Sequence, residues 1–447
     1  MALNDNERDL IAQLEADRRR SQLADQENLN YYLGLQRVEQ LGMAVPPEMR
    51  RFLVIANWCR VVVDTIAKRQ RVRSLILPGQ ETADPTLRSI WTANNLSAHF
   101  KMFNRDRMIY ARAFMSVGTN DRNPALPIVR VESPRAMSAL VDVPTETMIA
   151  AGRFYSKRPG GWATTHLTLL LPNGTIWCER DKNGRWEEVD SHEHGLERVP
   201  VVMHLNRRRS GEWVGESQMT DVIPLANSAA RSLTNLQFAQ EAHGVPRMWM
   251  AGVKQEDFVG KDGKPIPLFE AYYDAIHMIT DPAGKVGQLT GADLKNFETA
   301  LQIYGKQAAT VTGFPGRYFG LTTTNPPSAD AIRADEAELV TSVEDQNEEL
   351  AMTLGWAGAL AYEFATGTEV EGNLVQADFF DPSTPTVAQR EDALSKRRAS
   401  GALSREGYWD ELGWSEPRKD RERGYLAAEA SQDPELDAAR KLAGGAA

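Results

Sequence analysis

Thr312–Val340 reads TGFPGRYFGLTTTNPPSADAIRADEAELV, and its reading decides the architecture. It leaves a helical pattern, crosses a loop of Gly, Thr, Asn and Pro, and enters a long acidic helix. From Tyr318 to Ser328 no side chain is charged, although both flanks are polar. Pro326-Pro327 followed by Ser328 predicts a helix start with Ser328 as its cap. Beyond it Ile332, Leu339, Val343, Leu350, Leu354, Ala357 and Phe364 mark one apolar side. Between Ser328 and Ala365 stand nine acidic residues and one basic residue. Acid in the first turn suits the helix dipole, but acid continued down the whole helix does not follow from that. Upstream, Leu294, Phe297, Leu301, Tyr304, Ala308 and Val311 step by three and four, and Gly313 and Pro315 stop that helix. An uncharged loop is therefore held between two long helices.

Working outward, residues 245–290 break into strand-like pieces, PRMWMAGV and AIHMIT, around GKDGKPIP. Before them Val222, Leu225, Ala226, Ala229, Leu233 and Leu236 share a helix face, with Asn227, Arg231, Asn235 and Gln237 elsewhere around it. Gly244 and Pro246 end that helix. Two long helices thus bracket a small mixed insert. At the other end, residues 1–40 read as a helix closing near Gly34, a second helix is expected after Pro47 through RRFLVIANWCRVVVDTIAKRQRV, and residues 85–110 are again helical. From 110 to 205 the period is two. PIVRVESP alternates, THLTLLLPNGTIWCER predicts a type I′ hairpin at Asn173-Gly174, DKNGRW repeats the device, and VPVVMHLN is a further strand. The expectation is a mostly antiparallel sheet after a helical N-terminal part. Shorter helices follow residue 382, and the fold class is α+β.

A chain of 447 residues predicts more than one compact module. Two cysteines, Cys59 and Cys178, cannot build a disulfide framework, so a reducing compartment is expected. The opening MALNDNERDLIAQLEADRRR lacks the apolar run of a signal peptide, and LAMTLGWAGALAYEFA is too short to span a bilayer, which needs ~20 residues. The expectation is a soluble, intracellular protein. The net charge of −10 disfavours tight static binding of nucleic acid, which calls for a basic face. Three basic runs, Lys68–Arg73, Asn206–Arg209 and Ser395–Arg398, read as solvated surface or subunit salt bridges.

Motifs of chemistry are missing. There is no P-loop, no G-x-S-x-G elbow and no H-E-x-x-H, and DPAGKVGQLTG lacks the spacing of a phosphate loop. His192 and His194 fall in a polar, turn-like segment and read as surface loop rather than a metal pair. Asp335, Glu336 and Glu338 belong to a run of acids on an exposed helix face rather than an acid/base pair. No catalytic residue, metal or cofactor is expected, and an assembly role is.

Several segments carry a resemblance. RVESPRAM (Arg130–Met137), GESQMTDVIPLANSAARSLTN (Gly215–Asn235), PRMWMAG (Pro246–Gly252), TGFP (Thr312–Pro315) and NPPSADAIRADEAEL (Asn325–Leu339) occur in an order and spacing that resembles the portal proteins of tailed bacteriophages, of the Bacillus-siphophage type, over roughly residues 25 to 415. The resemblance implies a non-enzymatic ring, usually of twelve subunits, at one capsid vertex, with double-stranded DNA entering and leaving along its axis. It divides the chain into a wing (1–214), a first stem helix (215–244), a clip (245–290), a second stem helix (291–313), a tunnel loop (314–328), a long helix with return to the wing (329–382), and a crown with C-terminal tail (383–447).

The implied site residues follow. Tyr318, Leu321, Thr322, Thr323, Thr324 and Asn325 would face DNA. Trp249, Lys254, Lys261 and Lys264 of the clip would meet partners. Arg231, Phe297, Tyr304 and Arg317 would lie between subunits, with Arg317 pairing to an acid of a neighbouring subunit. The implied partners are terminase, the major capsid protein, a head-completion or adaptor protein and a scaffolding protein, with no membrane. The place is the virion's portal vertex, after assembly in the host cytoplasm. An uncharged loop suits such a channel, since ~1 kcal/mol per phosphate contact, repeated around a ring, would arrest the duplex. Thr and Asn offer weak neutral hydrogen bonds, and acids on the neighbouring helix would centre a polyanion. Two other readings stay open: a head–tail connector or other capsid-associated assembly protein, and a nuclease with an acidic metal site near Asp335–Glu349.

Overall fold

The computed structural model describes residues 3–37, 53–157, 164–243, 248–251, 285–288, 294–321, 328–383, 387–414 and 416–432. Helix α1 (Asp5–Leu33) starts in a capping box. The Asn4 side chain accepts from the Glu7 amide, Glu7 returns the bond to the Asn4 amide, each at 2.8 Å, and Gly34 closes the helix at φ 73°. Leu3, just ahead of the helix, and Ile11 and Leu14 on it are buried against Ala150, Phe154, Leu167 and Leu169 of a sheet.

The next helix begins later than expected. Residues 53–56 are not helical, and α2 runs Trp58–Arg69. Asn57 sets the start: its side chain accepts from the Arg60 amide (3.1 Å) and donates to the Tyr32 carbonyl (3.0 Å). The 85–110 region is two helices, α3 (Pro85–Ala93) and α4 (Leu96–Tyr110). Asn95 breaks them at φ 54°, a conformation asparagine tolerates better than most residues. Asn94 fixes the corner by donating to Pro127 and accepting from the Val129 amide.

The strands form more than one sheet. β2 (Arg112–Gly118) is flanked by β3 (Ile128–Glu132) and β9 (Val201–Leu205). A separate five-stranded antiparallel sheet follows chain order: β4 (Met137–Asp142), β5 (Thr147–Tyr155), β6 (His166–Leu170), β7 (Gly174–Arg180) and β8 (Trp186–Glu193). The β6–β7 turn is not type I′. Its central residues are Pro172 and Asn173, closed by the Leu171 amide on the Gly174 carbonyl (2.8 Å), and proline's fixed negative φ excludes that turn. The β7–β8 turn instead uses Gly184 at φ 79°, with Asp181 accepting from the Asn183 and Arg185 amides. His192 belongs to edge strand β8 rather than a loop, and His194 packs beside Phe364 at 6.2 Å. A third pair joins β1 (Val72–Ile76) to β12 (Gln376–Phe379), some three hundred residues apart.

Helix α5 (Ile223–His243) leads to β10 (Met248–Ala251), which pairs antiparallel with β11 (Lys285–Gln288); α6 (Lys295–Thr312) returns and packs on α5. Helix α7 (Ala329–Thr366) is 38 residues long, about 57 Å at the helical rise. Its Ser328 cap accepts from the Ala331 amide at 3.2 Å. The two halves of α7 serve different cores. Leu339 and Val343 join α2, α4, Ala226, Ala229, Phe314 and Phe319. Leu350, Leu354, Ala357 and Leu360 join Phe100, Phe103, Met115 and Val202. At Gly355 the helix lies so close to the following segment that a Cβ would stand 2.4 Å from the Gly372 carbonyl oxygen.

Residues 1–382 make one compact unit and 383–447 another. The second contains α8 (Val387–Ala399), α9 (Arg405–Glu411) and α10 (Glu416–Gln432), held by stacked Trp409 and Trp414 and by Arg423 on Glu406. Both cysteines are free and buried, and burial pushes each thiol up to about 12. No helix among the described residues is long and apolar enough to cross a membrane, and none of their His, Cys, Asp and Glu side chains form a group of three or more able to hold a metal.

Candidate functional site

The uncharged loop is held at both ends. Helix α6 ends at Gly313 (φ 67°), where a Cβ would meet the Glu338 carboxylate of α7 at 2.8 Å. The chain then turns through a short 3-10 segment, Gly316–Phe319, closed by Gly320 at φ 84°. Phe314 and Phe319 are buried. The Phe319 ring meets Trp58 of α2 edge-on at 5.8 Å between centroids, and Phe314 lies 6.2 Å from Tyr318 and 6.4 Å from Phe319. Leu321 folds back over Gly305 and Gly316. Before the chain reaches Thr322 it is therefore an aromatic knob seated on α2.

Charges lock the knob. The Glu336 carboxylate is buried between two arginines: one oxygen accepts from Arg317 and the other is 3.1 Å from Arg69. Arg317 also reaches Asp335 (2.6 Å) and lies over the Tyr318 ring. Arg69 donates to the Tyr318 hydroxyl (3.3 Å) and the Pro382 carbonyl (2.9 Å). Burial opposes the Arg69 charge, but bonds from Tyr318 and Glu336 and the Glu336 charge outweigh it and raise its pKa.

A second polar hub lies one residue further along the chain from α2. Arg107 of α4 is wholly buried and donates to Gln70 (2.7 Å), Gln346 (2.9 Å), Asn104 (3.3 Å) and Asn206. Burial lowers it to about 9 while Glu349 nearby pulls the other way. Helix α7 is thus tied to the end of α2 at Glu336 and again, through Arg107, at Gln346.

Thr322, Thr323, Thr324, Asn325, Lys254, Lys261 and Lys264 lie outside the described residues, and Trp249 is described only as a β10 position facing Gly287. Tyr318 is half-buried with its hydroxyl turned to Arg69, and Leu321 is half-buried. Arg231 is exposed on α5 and donates to Ser228, one turn back. Phe297 and Tyr304 are half-buried on α6, Tyr304 against the core that holds Ala308 and Phe314.

Arg317 pairs with Asp335 and Glu336 of its own chain. One expectation needs correction. Glu336 is not on an exposed face, although Asp335 and Glu338 are. Of the basic runs, Arg207, Arg208 and Arg209 are exposed as expected and pair with Asp221, Glu146 and Glu216, whereas Arg69 in the first run is largely buried on Glu336. In the third run Lys396 pairs with Asp392 one turn away and Arg398 lies over Tyr408.

Residues 12–435 match the family described as Phage portal protein, SPP1 Gp6-like. The chain belongs to this portal protein family. It is 33% identical to the portal protein of Mycobacterium phage D29 over 416 residues, covering 90% of this chain and 85% of that protein. The portal protein of Mycobacterium phage L5 is likewise 33% identical over 417 residues with the same coverage. Among solved structures, the neck of a native gene transfer agent particle computed with C12 symmetry aligns over 83% of this chain and 95% of that one, at 13% identity and a TM-score of 0.45. Portal membership gives the function: a component of the phage virion that forms the channel for packaging and ejecting double-stranded DNA. The portal family is one of structural assembly proteins.

Proposed function

We propose that Tyr318–Ser328 is the segment of this portal protein nearest the DNA, in a ring of twelve subunits assembled in the host cytoplasm and built into one capsid vertex. The observation that carries the reading is the contrast at the loop's base. The last cation before the uncharged run, Arg317, is neutralised by Asp335 and Glu336, so the charge adjoining the loop is not free to grip a phosphate. On α7, Asp335, Glu338, Asp345, Glu348 and Glu349 stay exposed against a single basic residue, Arg333, and their net field repels a polyanion. A surface that neither pairs with phosphates nor displaces their counterions lets a duplex slide.

In this reading α5 and α6 are the stem, residues 245–290 are the clip that meets terminase and then head-completion proteins, and residues 383–447 are the crown. The chain works without enzymatic activity of its own. Thr323→Lys combined with Thr324→Lys is expected to leave rings intact on native mass measurement and to slow DNA packaging, more so at low salt. Packaging at the wild-type rate would move the loop away from the DNA.

A further inference from the structure

Residues 69–73 do more than end one helix and begin a strand. On one side Arg69 reaches Glu336 and Tyr318 at the base of the loop. On the other it donates to the carbonyl of Pro382, the last residue of the first compact unit. Two residues on, the Arg71 carbonyl accepts the Phe380 amide at 2.9 Å, and the Arg71 and Arg73 guanidiniums lie 4.8 and 5.6 Å from the Phe380 ring centre. Arg73 is also 3.7 Å from Asp378 of β12. One short stretch therefore grips both the loop base and the segment by which the chain leaves for its C-terminal unit.

We infer that Arg69 is a positioning residue that couples the 314–321 knob to the 376–382 return segment, so that the two shift together. The guanidinium suits the task because its planar fork offers several donors in fixed directions, where a lysine offers one flexible point charge. It is mostly buried, with 9% of the side chain exposed, so water cannot take over a partner that moves away. A displacement of Glu336 must break its ion pair with Arg69, and one of Tyr318 its hydrogen bond, or else carry Arg69 and with it the Pro382 carbonyl. The use of this coupling during DNA passage rests on the proposed placement of the loop; the coupling itself does not.

Hydrogen exchange on assembled full-length rings tests it. The reporters are the Tyr318, Gly320 and Leu321 amides, which bond to the Pro315, Arg317 and Gly316 carbonyls, and the Phe380 amide on Arg71. Arg69→Met is expected to speed exchange at all four by about tenfold or more. Glu336→Gln and Tyr318→Phe touch neither Pro382 nor Arg71, yet both are expected to speed the Phe380 amide as well. Faster exchange confined to 318–321, with Phe380 at its wild-type rate, overturns the inference. Tyr318→Phe removes a single hydroxyl and keeps the test available if the other two fail to fold. Coupled exchange alongside wild-type packaging by the double-lysine loop variant would retain the coupling and reject the loop's placement.

Discussion

Glu336 and Asp335 are adjacent carboxylates that face the same arginine from different surroundings. Removing Glu336 leaves the largely buried Arg69 guanidinium without its carboxylate partner, and Glu336→Ala is expected to cost about 3–5 kcal/mol in urea unfolding. Asp335 is half exposed, and Asp335→Ala is expected to cost no more than about 1 kcal/mol. Two other groups, the buried His204 and the half-buried Asp106, titrate in opposite senses. Burial, with Arg107 adding, lowers His204 from 6.5 to about 3, so its contribution is complete above 6.5 and is lost as pH falls toward 3. Burial raises Asp106 from 3.8 to about 6, so its contribution is complete below 3.8 and is lost as pH rises through 6. Between about pH 6 and 4 the two oppose, each by roughly 1 kcal/mol per pH unit. Asp106→Asn is therefore expected to lose stability on acidification relative to the wild type over that window, and His204→Gln to gain it, read from urea midpoints at successive pH values.

Helix α7 shows what pattern can and cannot specify. Gly355→Ala places a methyl group against the Gly372 carbonyl and is expected to cost about 1–3 kcal/mol, seen as a lower melting temperature. The helix itself is legible in the sequence, since Ser328, Leu339, Val343, Leu350 and Leu354 mark its cap and its buried side. The helix–insert–helix order and most strands are legible for the same reason: each repeats a short period. The start of α2 is not, because an apolar spacing through Ile55 continues the helical rhythm, while the cap at Asn57 depends on a bond to Tyr32 of another helix. The pairing of β1 with β12 has no local signal at all, because strand pairing at that separation is decided by the core between them. At the site the uncharged run is legible, but the clamp at its base is not. Glu336 looks like any of its acidic neighbours until Arg69 is brought beside it.

At the scale of the whole molecule, the insert between α5 and α6 enters and leaves through the β10–β11 pair, so its ends lie together. Deleting residues 250–285 is expected to spare the fold of the remaining chain by circular dichroism and to abolish docking of the packaging motor in pull-down; normal terminase binding would contradict the clip assignment. The architecture also leaves an experimental convenience in the two cysteines. Cys59 and Cys178 are buried, and with thiols near 12 they hold almost no thiolate at neutral pH. Toward maleimide reagents the folded native sequence is expected to be a blank background, so that a single cysteine introduced at an exposed position would accept a fluorophore or spin label without any prior removal of the natural thiols.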